Sequence, residues 1–540
     1  MANVDEEDVR NAFNEYLSIA VSDEIIRECV QLCNSFAKTP DDLAFKWQSM
    51  CINTGSSVTQ PLDNKGLTLL RKELQKGVQQ LVQPKKTTTI NARKPQARGP
   101  AAGSLPHGPP KRVPVIKSEP SGIQIHDSVK ERQYRYMHER LTERSTVLDD
   151  RLDEFAELVR VHYNLEDIGD PASTSDEELV VVGRICCEED STKLNESSVM
   201  LETSRLMGAG MRVLLKFNPS VTTNGESPVL PLYPGAIVAL KGINETGEWF
   251  QVSQILSIPL LPNNISCSSQ ERPVSMAIAA GPFTIDSNLN YAEFKHFLGQ
   301  IGSNTPSWVL LLGPFVDVNH PSIKSGDVDY SPLELFRYRI LEPLRTFLDE
   351  HPTTTALVIP SVRDLISHHA VFPQAPLPLT QTNRILFLPN PCTFSIDHVK
   401  FAASSTDIFF SLQRSTLRKK VVPTGKTATF DGMGTLGACI LEQRSFYPLF
   451  PSDDVNLDVS HSELLGFQGS NPDVLIIPSM LKHFHKNVHG TVVINPGKAS
   501  KSEHSILRIS DPLSARGAQI VDRVEVQFSA VSSLSKAFED

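Results

Sequence analysis

The chain has 540 residues, 40% hydrophobic and 21% charged, with a formal net charge of −10. That length exceeds one core, since domains usually hold about 100–200 residues, so several folded units are expected. The acidic balance excludes a chain that coats nucleic acid unaided, because such binding relies on clustered Lys and Arg, and no run approaches the roughly 18 apolar residues that span a bilayer. The start, MANVDEEDVR, is acidic and reads as no signal peptide. A soluble intracellular protein without a membrane partner is expected.

The first 78 residues read as a small helical bundle. Val9, Phe13, Tyr16, Leu17, Ile25, Ile26, Cys29, Val30 and Phe36 recur at helical spacing. TPDDLAFKWQSM then supplies Thr39 as N-cap, Pro40 at the first helical position and Asp41 and Asp42 in the first turn. LTLLRKELQKGVQQL is a further helix candidate. The composition changes between Gln79 and Ser118, a Pro, Gly and Lys/Arg-rich stretch with no Asp or Glu. Residues 79–128 are therefore expected to be a disordered basic linker, a solvated tether before a nuclear-import or DNA-contacting one.

From 129 to 167 a charged helical pattern returns, with Tyr134, Met137, Leu141, Leu148, Leu152, Phe155 and Val159 spaced three, four or seven apart. This helical segment is expected to pack on the C-terminal core. Over 168–265 the period changes to two, and ELVVVGRICC, SVMLETS, MRVLLKF, GAIVALKGIN and WFQVSQIL are strand candidates. Short strands in so compact a block predict an OB-type β-barrel. Over 266–540 strands and helices alternate. SMAIAAGPF, WVLLLGPF, TALVIPS, RILFLPNP, DIFFSL, DVLIIPS and TVVINPG read as strands, and YAEFKHFLGQI, LELFRYRILEPLRTFL and LGACILEQR as helices. Apolar strands ending in Gly, Pro or Ser loops mark a layered α/β domain, in which ligands sit at the carboxyl ends of the strands. The fold class is thus multidomain α+β: helical bundle, OB barrel and α/β sandwich.

The cysteines carry little chemistry. Cys29, Cys33 and Cys51 fall in helical patterns, Cys186 and Cys187 are adjacent, and Cys267, Cys392 and Cys439 stand alone. Without a CxxC pair they read as reduced core residues rather than zinc ligands.

The strand-end loops carry a resemblance. The C-terminal half is similar to calcineurin-like metallophosphoesterases, in which loops of the form DxH, GDxxD, GNHD/E, a lone His and GHxH hold two metal ions. Here the first loop reads AAGPFT, Ala279 to Thr284; the second GPFVD, with Pro314 in place of the bridging aspartate and Asp317 retained; the third PSVRD, Pro360 to Asp364. At the place of GHxH stand Pro478, Ser479, Met480 and Leu481, with the closing INPG of the pattern further along. None of these replacements ligates a hard cation. Asp317, His320, Asp364, His368, His369, His483, His485 and His489 remain as residues that could regroup around one ion, against the plainer reading of scattered surface and capping side chains. No catalytic, metal or cofactor site is expected, and the chain is not expected to be an enzyme.

A phosphoesterase-like domain without ligands after an OB block resembles the B subunits of the eukaryotic replicative DNA polymerases. Within them the likeness is to the alpha type, on VGRICC with VMLE, LYPGAIVALKGIN, GPFVDVNHP, IPSVRDLISHHAVFPQ, LFLPNPCTFSID, QRSFYPLFP and PDVLIIPS with INPG. The resemblance implies a nuclear, non-catalytic regulatory subunit of the polymerase alpha–primase complex that supports primer synthesis in DNA replication. Its implied partners are the zinc-binding C-terminal domain of the catalytic subunit, the primase subunits through the complex, and other replisome factors through the N-terminal domain. DNA would be touched only indirectly or weakly. Two other readings stay open: an active metallophosphoesterase with an unusual metal set, and a single-strand DNA-binding OB protein. The last needs a basic groove with stacking aromatics. The barrel strands offer Phe217, Trp249 and Phe250 with little positive charge beside them in sequence.

Overall fold

The computed structural model describes residues 7–10, 13, 23–36, 39–53, 67, 70, 122–126, 132, 134–188, 193–263, 273–425, 429–452, 454–510 and 520–529. The expected linker up to residue 121, most of the helix expected from Leu67, and Cys267 lie outside them. The chain divides into two compact units, Met1–Val113 and Pro114–Asp540.

In the first unit, helices α1 (Asp23–Phe36) and α2 (Pro40–Asn53) share an apolar cluster. Val9, Phe13, Ile26, Cys29, Leu32, Leu43, Trp47, Leu67 and Leu70 belong to it. Cys29 and Cys33 sit inside this core, and burial pushes the Cys29 thiol up to about 12, so it packs as a small apolar group.

The second unit opens with β1 (Ile123–Ile125), which pairs antiparallel with β12 (Cys392–Ile396) through Ile123 opposite Ile396. This corrects the expectation of a linker extending to residue 128. GIQIH alternates apolar and polar, and Ile123 is buried at the margin of a sheet that its own few residues do not reveal. The helical segment expected from residue 129 is corrected too. Helix α3 spans Leu141–His162, while the residues from Tyr134 to Arg140 before it are irregular. Met137 adopts a φ of 53° and donates its N–H to Asp458, so tertiary contact ends the helical period there.

The barrel is built from β2 (Ser175–Cys187), β3 (Val199–Glu202), β4 (Arg212–Thr223), β6 (Ile237–Asn244) and β7 (Trp249–Leu256), while the short β5 (Val229–Leu232) between β4 and β6 lies outside its ladder. The ladder runs β4-β3-β2-β6-β7, and β4 also pairs with β7, which closes it. Register shifts in β2 between Ser175 and Leu179, and in β4 between Phe217 and Thr222, let these long strands turn corners. Each expected strand is present, and β5, in VLPLYPG, was not foreseen because Pro231 masks its short period. Val181, Ile185, Leu201, Leu215, Leu240 and Phe250 fill the interior. On the outside, Leu152, Phe155, Ala156 and Val159 of α3 cover Val182, Ile237 and Ala239.

The remaining residues form two sheets face to face. One has the order β11-β10-β9-β8-β19-β20: β8 (Val274–Ala280), β9 (Trp308–Leu312), β10 (Thr355–Ile359) and β11 (Ile385–Phe387) are parallel, and β19 (Ser505–Ile509) and β20 (Val524–Phe528) antiparallel. The other has the order β1-β12-β13-β16-β18-β17, completed by β13 (Val399–Ala403), β16 (Val474–Ile476), β17 (Phe484–Val488) and β18 (Thr491–Asn495). Alternate residues of the same strand face opposite layers. Met276, Ile278, Leu310 and Leu312 meet Phe394, Phe401, Ile476 and Ile494 between the sheets. Ala277, Val309 and Leu311 face the outer helices α4 (Ala292–Gly302) and α5 (Glu342–Glu350). Burial on both faces explains the unbroken apolar runs in these strands.

DIFFSL is a helix, α6 (Ile408–Ser415), and not a strand. The Asp407 carboxylate accepts the Phe410 N–H and caps it, and the exposed Phe410 together with the buried Ile408 and Phe409 matches a helical face. The hairpin β12–β13 was also unforeseen. Asp397 and His398, at φ of 44° and 71°, form its two-residue turn without the glycine that usually announces one.

Candidate functional site

The loops at the carboxyl ends of β8, β9 and β10 converge, as α/β topology requires. Gly281 in the first loop comes so close to the second that an added Cβ would lie 2.0 Å from the Pro314 carbonyl oxygen. At Gly313 the same atom would lie 2.3 Å from an Asp364 carboxylate oxygen. Backbone therefore fills the ground between these loops.

Asp364 is the centre of this packing. Its Oδ1 accepts the N–H of Phe315 and of Val316, the latter at 2.9 Å, and its Oδ2 accepts the N–H of Ser361 at 2.8 Å. Burial pushes its carboxyl up to about 7 against the opposing pull of the three amides, with the neighbouring Asp317 adding to the rise. Asp317 in turn holds the Arg363 guanidinium and accepts the Asn319 N–H at 2.9 Å. His320 caps the short helix Pro321–Ser325 with Nδ1, accepting from Ser322 N–H at 3.2 Å. That leaves Nε2–H to donate to the carbonyls of Ile285 and Asn288 at 3.0 and 3.2 Å, tying the first loop to the second.

In the last loop, Asn495 of the INPG segment does the corresponding work. Its Oδ1 accepts from Ser479 and Gly497 N–H, and its Nδ2 donates to the carbonyls of Leu481 and Lys482. Asn390, fully buried, links Gln374, Ser404 and Ser405. Nothing in spacing marks Asn390 or Gln374; an amide between two apolar runs was the only signal available.

The remaining histidines go elsewhere. His369 packs its ring on Tyr136 at 4.6 Å and His368 lies beside it. His483 faces Glu503 at 3.6 Å and the ring of Phe528, which His485, on β17, also approaches. His489 faces Glu442 at 3.6 Å, and that carboxylate raises its pKa. The structure brings Asp317, Asp364 and His320 near one another and leaves the other five apart. Among the described residues no three His, Cys, Asp or Glu side chains are grouped as a metal site.

A second region joins barrel and sandwich. Ala402, Ile408, Leu412, Ile440, Leu475 and Val493 of the sandwich share one apolar core with the barrel interior. Helix α7 (Gly432–Glu442) and the Gln443 that ends it lie on this seam. Gln443 accepts from Ile237 N–H at 3.0 Å and donates to Ile237 carbonyl at 2.8 Å, as a strand would. Gly235, at φ 96°, lets Phe450 N–H reach the Pro234 carbonyl at 3.0 Å; a Cβ there would lie 2.3 Å from Phe450 N. Two strands cross over as well: β14 (Leu417–Lys420) pairs with β5 and β15 (Val422–Pro423) with β4. A cleft of about 360 Å³ opens on the seam, with Arg184, Glu202 and Arg212 from the barrel and Arg414, Phe450 and Asp454 from the sandwich. Arg184 is buried, donates to Leu148 carbonyl and Glu202, and lies 5.4 Å from the Phe450 ring centroid.

Of the barrel aromatics, Phe250 is core and Trp249 carries the Lys216 ammonium 3.3 Å from its ring centroid. Phe217 has Lys419 of β14 at 5.5 Å. This corrects the expectation of little positive charge beside these rings. Lys419 comes from a strand far along the chain, and only the crossover places it there.

The closed barrel and the two-sheet sandwich that shares its core are the two parts of this chain that family models of polymerase B subunits match. The family model for the DNA polymerase alpha/epsilon B subunit matches residues 276–486, and that for the OB domain of the DNA polymerase alpha B subunit matches 145–258. The B subunit of DNA polymerase alpha from Schizosaccharomyces pombe is 32% identical over 538 residues, covering 87% of this chain and 90% of its own. That of Saccharomyces cerevisiae is 32% identical over 433 residues, 68% of this chain and 58% of its own, and that of Rattus norvegicus 27% over 381, 68% and 60%. The chain belongs to the family of DNA polymerase alpha B subunits. Among solved structures, an archaeal phosphodiesterase at 10% identity covers 47% of this chain and 98% of its own with a TM-score of 0.22, too low to argue from.

Proposed function

We propose that the chain is a non-catalytic regulatory scaffold of the polymerase alpha–primase complex. In this reading the barrel and sandwich form one platform, and the zinc-binding C-terminal domain of the catalytic subunit docks across their seam. The observation that carries it is the shared core with Gln443 bonded into the barrel, which makes the two domains one rigid surface with a cleft lined from both sides. The strand-end loops support the absence of phosphoester chemistry. A carboxylate accepting three amides, an aspartate held by an arginine and a backbone amide, and an imidazole bonded through both nitrogens have most of their acceptor sites taken by the protein itself, which leaves too few for two cations. The helical N-terminal module, residues 1–78, is assigned to contacts with other replisome factors, and the protein to the nucleus.

The test is co-purification with the catalytic subunit's C-terminal domain. Arg212→Glu and Arg414→Glu together change the charge of the cleft while leaving the core untouched, and should abolish capture, whereas removal of residues 1–113 should not. Capture that survives the double reversal but is lost with residues 1–113 places the contact on the N-terminal module. Manganese, iron or zinc retained at one or more per chain after dialysis against chelator would overturn the non-catalytic reading.

A further inference from the structure

The strand β14, Leu-Arg-Lys-Lys, carries the densest basic run among the described residues of a chain whose net charge is −10. Its side chains alternate. Lys419 turns inward to Phe217 and pairs with Glu196 at 3.1 Å. Arg418 and Lys420 turn to solvent on the other face, and Val422, two residues further, is 53% exposed. Arg418 has no carboxylate partner among the described residues; its guanidinium lies 5.5 Å from the ring centroid of Phe430, which is 42% exposed. Lys420 has no carboxylate partner there either. Nearby Arg414, by contrast, is paired with Asp454.

We infer that this face of β14, with Phe430, is a contact site for single-stranded nucleic acid. Two residues along a strand place the two cations about 6.7 Å apart, a separation that consecutive phosphates of an extended strand can match. An exposed ring beside them offers a base a stacking face, and any base will serve, so the site reads no sequence. An acidic peptide would use the cations and leave the ring without a planar partner. A membrane would need a far wider apolar area than Val422 and Phe430. The site is anchored on both domains, through β14 on β5 and β15 on β4, so a strand held there has a fixed direction across the platform. Arg418, Lys420 and Phe430 are not among the residues that line the seam cleft.

The test uses the full chain and a fluorescent oligothymidine of about 20 nucleotides. Arg418→Glu with Lys420→Glu should weaken binding about tenfold at low salt and flatten the dependence of log K on log salt by about 1.4, the share of two phosphates. Lys295→Glu with Lys324→Glu, on exposed positions elsewhere in the sandwich, changes the net charge equally and should leave binding within about twofold. Photocrosslinking of iodouridine-substituted strands should label the peptide holding Phe430 and lose that label in Phe430→Ala. Equal weakening by both double variants overturns the site, as do crosslinks confined to residues 79–118. Displacement by polyglutamate as effective as by oligothymidine assigns the face to acidic protein instead.

Discussion

The strand-end loops and the barrel–sandwich seam both hold chain segments that are distant in sequence, but by different means. The loops are tied by polar side chains bonded to backbone groups: Asp364 accepts amides of two loops, Asn495 accepts amides within the last, and His320, while capping its helix, donates to carbonyls of the first loop. The seam is held by a continuous apolar core, with Gln443 supplying the backbone partner that Ile237 lacks and β14 and β15 pairing with barrel strands. Polar ties specify local shape and leave the surface as it is. An apolar seam has no stable separated state, because parting it exposes Leu412, Ile440 and Phe250 together. Rigidity between the domains therefore comes from the seam, and rigidity of the loop face from its bonds.

The comparison breaks most sharply at Gly235. Gly235→Val puts a branched side chain against the Phe450 amide and should destabilise the unit by about 4 kcal/mol or more, with barrel and sandwich unfolding together in urea. Separate transitions would mean that the seam does not couple them. Asp364→Ala should cost about 3–5 kcal/mol, since three buried amides lose their acceptor at once, yet circular dichroism of the folded variant should keep the barrel signal. Gln443→Leu keeps volume but orphans the N–H and carbonyl of Ile237; a loss of about 2–3 kcal/mol is expected, read as a shift in the urea midpoint without change of slope.

The smallest effects lie in the loops' charges. Arg363→Met should cost only about 1 kcal/mol, because the arginine end of its pair with Asp317 is more than a third exposed and screened by water. The Asp364 carboxyl is raised in the folded state, to about 7 from an ordinary 3.8, so the folded chain binds the extra proton. Its contribution is thus fully present below pH 4 and lost as pH rises through 7. Relative to Asp364→Asn, the wild-type chain should gain stability as pH falls from 8 to 4, measured by urea midpoints; a flat difference would mean the carboxyl titrates in the ordinary range.

WVLLL, TALVI and TVVIN are legible as strands because burial on both faces demands apolar residues at every position. Those properties belong to each residue and its near neighbours. Other features depend on what lies opposite. Residues 123–125 become a strand only beside Ile396, and Asp364 gains its role from amides 48 and 49 residues away. Lys419 meets Phe217 because β14 crosses from one domain to pair with a strand of the other. Periodicity and composition record which faces are buried and which caps are available, and so determined most of the barrel and sandwich strands by themselves. The pairing of distant edges, the satisfaction of buried amides and the meeting of charge with ring were decided only by the tertiary structure, because each requires two segments whose separation along the chain carries no trace of their contact.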